Sequence, residues 1–103
     1  MNVFWKIKPF KALSTTELYS VLQLRAAVFI VEQNCVYQDI DGKDAKAFHL
    51  MGEYDGKIVA YARLFKSGDY FENASIGRVV IDPDYRDKKW GHEMMQVAIK
   101  GIE

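Results

Sequence analysis

The residues best suited to bind something lie where an apolar run hands over to a helical stripe, in "IGRVVIDPDYRDKKWGHEMM", residues 76–95. Arg86, Asp87, Lys88 and Lys89 stand in a row before Trp90, Gly91 and His92, where the helix must begin. A helix N-terminus carries unpaired N–H groups and a partial positive charge, so it favours acids and repels cations. Three cations at this place leave two readings: a plainly solvated turn, or a bound anion that the cations and the helix end share. Phosphate suits the second, because successive amides of a turn can wrap around it. Gly91 would let the backbone approach closely.

A second group is Arg25 and Glu32 on "LRAAVFIVEQ". Seven-residue spacing puts Leu18, Arg25 and Glu32 on one line of a helix, beside Val21, Leu22, Val28 and Phe29, so two charges interrupt an apolar stripe. A buried charge without a partner is costly. Arg25 and Glu32 therefore either pair with each other or line a substrate cleft with Phe29, and Glu32 can also cap the end of its helix. His49, inside a strand, is a candidate base or a half-buried packing residue, and Glu32 is the other candidate base. Cys35 has no local base and reads as a small packing residue. "DIDGKD" has its glycine at the wrong place for a calcium loop and lacks the terminal glutamate, so it reads as a turn. His49 and His92 are too scattered for a metal site, and none is expected.

The elements that must position these groups follow from local patterns. "VFWKI", residues 3–7, reads as a strand. Ser14 followed by Glu17 is a capping box that opens a helix running to about Glu32. Residues 34–47 are a polar loop turning at Asp41-Gly42. Asp55-Gly56 lies between two alternating segments, Phe48–Tyr54 and Lys57–Phe65, and predicts a tight hairpin. A loop, "SGDYFENAS", then leads to a strand over Ser75–Ile81. Pro83 ends that strand because it lacks the ladder amide. From Trp90 or Gly91, the stripe Trp90, Met94, Val97, Ala98 and Ile102 marks a helix to the chain end. Trp90 either covers part of a bound nucleotide or packs as the first member of that stripe. The order is β-α-β-β-β-α, an α+β chain with antiparallel pairing.

Bulk properties narrow the function classes. Fourteen basic residues balance fourteen acidic ones in 103 residues, which argues against a general nucleic-acid surface. Half the residues are hydrophobic, enough for one folded domain over 1–103. No run approaches the roughly 18 apolar residues of a membrane span, and the first ten residues lack a signal peptide's apolar core. One cysteine excludes an internal disulfide and suits a reducing cytoplasm.

Together, Ile81, Pro83, Arg86 and Gly91 resemble the acetyl-CoA-binding core of the GCN5-related N-acetyltransferases. That family carries a strand, a proline turn, and R-x-x-G-x-G or R-x-x-G-x-A opening a helix. The departure is Lys89, which stands at the first motif glycine. If that position needs positive φ, lysine costs about 1 kcal/mol; if it needs only close approach, the lysine adds charge. The N-terminal half resembles the ElaA-like branch, with Arg25, Val28, Phe29, Val31, Glu32 and Gln33 in an R-x-x-V-F-x-V-E-Q helix. Tyr37, Asp39, Asp41 and Asp44 match its acidic loop. The helix is also similar to that of the acyl-homoserine-lactone synthases.

The resemblance implies a mainly antiparallel sheet flanked by helices, with 1–103 as the N-terminal two-thirds of the usual fold, stopping after the CoA-loop helix. It implies acetyl transfer from acetyl-CoA to a small-molecule or peptide amine by direct attack on the thioester. Main-chain groups at Val79, Val80 and Ile81 would pair with the pantetheine arm, and Arg86, Asp87, Lys88, Lys89, Trp90, Gly91 and His92 would hold the pyrophosphate. Arg25, Phe29, Glu32, His49 and Arg78 are the candidate acceptor cleft. The proton donor of many relatives lies beyond Glu103, so no catalytic acid is assigned. A shortened fold also implies exposed sheet and helix surface, hence association into a homo-oligomer. The alternative is a catalytically silent CoA-binding or protein-interaction domain.

Overall fold

The computed structural model describes residues 3–68 and 72–103. Residues 69–71, within the expected loop "SGDYFENAS", lie outside the described residues. The elements are β1 (Phe4–Pro9), α1 (Thr15–Arg25) continuing into a π-helical segment (Ala26–Glu32), β2 (Phe48–Tyr54), β3 (Lys57–Phe65), β4 (Ser75–Ile81) and α2 (Gly91–Gly101). A 3-10 segment, Pro83–Lys88, joins β4 to α2. The four strands form one antiparallel sheet in the order β1-β2-β3-β4.

The hairpin forms where expected. Asp55 and Gly56 have φ of 53° and 77°, the pair of left-handed residues whose twist matches two antiparallel strands. Alternation then sorts β2 and β3 into two faces. Met51 and Tyr61 pack with Val21, Leu24 and Val28 beneath α1 and its extension. Leu50, Ala60, Ala62 and Leu64 pack with Met94 and Ala98 of α2 on the other face. The sheet is thus sandwiched between two helices, and the stripe on α2 faces the core. Among the described residues no helix is long and apolar enough to cross a membrane.

Two boundaries differ from the sequence reading. β1 runs to Pro9 rather than stopping near Ile7, because its pairing with β2 continues to Pro9 opposite Phe48. The helix expected through Glu32 is α-helical only to Arg25. Beyond it the bonds reach five residues back, Gln33 N–H to Val28 O at 3.1 Å and Cys35 N–H to Ile30 O at 3.2 Å. The wider turn breaks the seven-residue line, so Glu32 no longer shares a face with Arg25. π-turns of this kind often occur at functional sites.

The capping box is present: the Glu17 amide donates to Ser14 Oγ at 3.0 Å and the Ser14 amide to Glu17 Oε1 at 2.9 Å. The Glu17 carboxylate also takes Lys6 at 2.7 Å and Lys8 at 3.0 Å, tying α1 to β1. Burial alone would raise its pKa, but the bonds from Lys6, the Ser14 amide and Lys8 outweigh it and hold it at about 2 against an ordinary 4.5. A depressed folded pKa stabilises above the unfolded value and ceases to do so as pH falls through the folded one. We therefore expect stability in urea titrations to fall as pH drops from about 4.5 toward 2, and Glu17→Gln to flatten that fall. An unchanged acid limb in Glu17→Gln would show that Glu17 is not its source.

Candidate functional site: a bulged strand, a basic turn and a buried ion network

The site is built outward from β4. On β3, Tyr61 pairs with Val80 and Arg63 with Gly77, so Arg78 and Val79 stand opposite the single residue Ala62. This is a β-bulge. Arg78 sits in it at φ 49°, an uncommon conformation for a side-chain-bearing residue. Val79 in the bulge is exposed, and beyond it Val80 is buried and Ile81 half-buried. No further strand pairs with β4 among the described residues.

After Ile81, Asp82 accepts the Asp84 amide at 3.0 Å and Pro83 starts the 3-10 segment with its φ already set. The segment ends on Lys89, at φ 60° and ψ 37°. The position where the family motif has its first glycine is therefore left-handed, and the lysine occupies it at a conformational cost. A helical residue followed by a left-handed one turns successive N–H groups toward one concavity. That concavity leads straight into α2, whose N-terminus has no side-chain cap. Among the described residues neither Lys88 nor Lys89 has a side-chain partner, and both are exposed, as are Asp87 and His92. A Cβ on Gly91 would meet only Ile81 Cδ1 at 3.7 Å, so glycine or alanine fits there.

Relief of the left-handed strain can be measured. Lys89→Gly is expected to raise stability by ~0.5–1 kcal/mol, after glycine's own entropy loss is subtracted. Chemical denaturation reads this directly. Equal or lower stability would mean the lysine side chain offsets its backbone cost.

Arg86 does not point freely into the loop. Its Nε donates to Ile81 O at 3.1 Å, and Nη1 and Nη2 donate to Glu32 Oε2 and Oε1 at 2.9 and 2.8 Å. The pair raises the Arg86 pKa and lowers that of Glu32. Glu32 is thus the partner of Arg86, not of Arg25. Trp90 is buried, stacked on Tyr85 at 6.0 Å and packed with Val3 and Val59; its ring is part of the core.

Arg25 belongs to a separate network. Its guanidinium is 1% exposed and donates from Nε to Asp39 Oδ2, from Nη1 to Asp44 Oδ1 and from Nη2 to Asp39 O, each at 3.0 Å. Arg63 forks onto Asp41 at 2.9 Å and reaches Asp44 at 3.0 Å. Arg78 takes Asp39 at 2.8 Å and Asp41 at 3.3 Å and lies over the Tyr37 ring at 5.5 Å. Three arginines and three aspartates therefore neutralise one another. The Arg63 fork, against the opposing effect of burial, holds the Asp41 carboxyl far below the usual range.

His49 is completed by the same loop. Its Nε2 lies 2.9 Å from Asp44 O, which can only accept, so Nε2 donates and Nδ1 accepts from Tyr61 OH at 2.6 Å. Burial, the largest effect, lowers the His49 pKa and keeps the ring neutral. His49 is fully buried rather than half-buried, with both nitrogens engaged. Phe29 is half-buried against the α1 core.

The sequence reading missed Arg63, Tyr61 and the pairing role of the loop acids. "DIDGKD" does turn at Gly42, with φ 81°, but its aspartates also serve as counter-charges. The available signal was three acids close together with three arginines at apolar-patterned positions; buried cations require such partners.

Comparison with known proteins bears on the family and the fold. The model of the acetyltransferase (GNAT) family matches residues 13–101. The chain is 44% identical over 98 residues to protein ElaA of Escherichia coli, covering 93% of this chain and 64% of that protein. It therefore spans somewhat less than two-thirds of that relative. The crystal structure of Escherichia coli ElaA superposes with a TM-score of 0.90 at 42% identity, covering 97% of this chain and 69% of that one. An acyl-CoA N-acyltransferase from Pseudomonas aeruginosa gives the same TM-score at 40% identity, covering 96% and 69%. On the family match and these likenesses, the chain belongs to the acetyltransferase (GNAT) family, on its ElaA-like side.

Proposed function

We propose that this chain forms the donor-binding part of an N-acetyltransferase that moves an acetyl group from acetyl-CoA to a primary amine. The observation that carries the reading is the left-handed turn at Lys89 opening onto the uncapped N-terminus of α2, directly after a bulged strand. The phosphates of CoA suit this turn: oriented amides, a helix dipole and two lysines unpaired among the described residues all favour an anion. Main-chain groups of Val79–Ile81 would hold the pantetheine arm, one N–H polarising the thioester carbonyl.

The amine nitrogen attacks the carbonyl carbon, the C–S bond breaks, and the proton lost by nitrogen balances the one gained by the thiolate. No described residue is assigned as acid or base. Arg25, Arg78 and His49 support the acidic loop through the ion network rather than meet the amine, Glu32 is held by Arg86, and Phe29 remains on the acceptor side. The domain is read as 1–103, cytoplasmic and self-associating, with the acceptor a small-molecule or peptide amine. Thiol release from acetyl-CoA in the presence of a general amine tests the reading; release no faster than hydrolysis alone would refute it. CoA binding without turnover would favour a silent CoA-binding domain.

A further inference from the structure

We infer that Glu32 is a latch on the anion loop: it occupies the guanidinium of Arg86, and the CoA phosphates must displace it to recruit that arginine. The inference rests on the proposed CoA reading and adds the residue that regulates the same site.

Arginine recognises phosphate through two parallel N–H bonds. It has five N–H groups, and here three are engaged. The end-on fork, Nη1 with Nη2, is closed by both oxygens of Glu32. The side fork, Nε with Nη2, has its Nε already on Ile81 O. Neither fork is intact for a phosphate, so Arg86 contributes one only after a partner leaves.

Glu32 is the partner that can leave. Both side chains are substantially exposed, 46% for Arg86 and 40% for Glu32, and water and salt screen such a pair. The contrast with Arg25, enclosed by Asp39 and Asp44 at 1% exposure, is direct. Glu32 is carried by the π-helical segment, whose wide turn moves it off the face it would share with Arg25. The segment thereby links the α1 side of the sheet to the anion loop. Asp82 is the other acid that acts on Arg86, and its side chain is already held by the Asp84 amide.

Calorimetric titration with CoA of the wild type, Glu32→Gln, Arg86→Gln and the double variant tests the latch. Glu32→Gln should bind CoA roughly threefold more tightly, the scale of an exposed ion pair. In the Arg86→Gln background the same change should give none of that gain. Equal or weaker binding by Glu32→Gln overturns the latch. So does an equal gain in both backgrounds, which would report only the removal of a negative charge near an anion. A second readout is the Glu32 carboxyl ¹³C titration, which should return to the ordinary carboxylate range when CoA saturates the protein. A carboxyl that stays depressed with CoA bound means Arg86 never leaves it, and the latch fails. If the wild type takes up no CoA, the cofactor reading itself fails, a result distinct from binding that ignores Glu32. Both positions are exposed, so circular dichroism of each variant should match that of the wild type.

Discussion

Arg25→Met is expected to cost about 3–5 kcal/mol of folding stability, or to leave no folded protein at all. Methionine fills much of the space but brings no charge, so the guanidinium's ion pairs and its place 5.6 Å over the Tyr61 ring are both lost. With Arg25 present, three arginines face three aspartates. Without it, Arg63 and Arg78 must serve three carboxylates, two of them on buried residues, Asp39 and Asp44. The carbonyl of Asp39 also loses its bond to Arg25 Nη2. The damage should spread to His49, because the Asp44 carbonyl that receives its Nε2 proton is set by the same loop. Urea denaturation gives the magnitude. A loss below about 1 kcal/mol would show that water enters the site and replaces the arginine.

The second large effect separates stability from binding. Gly91→Asp places a carboxylate in the first turn of α2, where the helix dipole favours it by up to about 1 kcal/mol. The added Cβ meets nothing closer than 3.7 Å, so the fold should be as stable as before or slightly more so. CoA binding should nevertheless weaken roughly tenfold or more, about 1.4 kcal/mol, since like charges a few ångströms apart repel by at least that much near a protein surface. Gly91→Ala adds the same Cβ without charge and should bind CoA nearly as the wild type does. Equal affinity of Gly91→Asp and Gly91→Ala would place the phosphates elsewhere.

These two substitutions mark the boundary of what the sequence discloses. The hairpin, the three later strands and the start of α2 are legible because each depends on neighbours in the chain: Asp55-Gly56, strict alternation, Pro83 and a regular stripe. The basic turn before α2 is legible as a motif for the same reason. Its backbone is not, because a lysine at position 89 conceals the left-handed conformation a glycine would advertise. The ion network is hidden for a different reason. Its partners are 14 to 39 residues apart, and only packing shows that Asp39 meets Arg25 and Arg78. The π-turn is the most instructive miss. A seven-residue line assumes 3.6 residues per turn throughout, and the change of pitch after Arg25 sends Glu32 to Arg86 instead.

Whether residues 79–92 form a CoA site is read residue by residue in a titration of the ¹⁵N-labelled chain with CoA, followed by amide chemical shifts. Saturable shifts concentrated at Val79–Ile81 and Arg86–His92, reversed by competing pyrophosphate at the second group only, are the predicted result. No shifts up to millimolar CoA, or shifts confined to the loop of Asp39, Asp41 and Asp44, would contradict it.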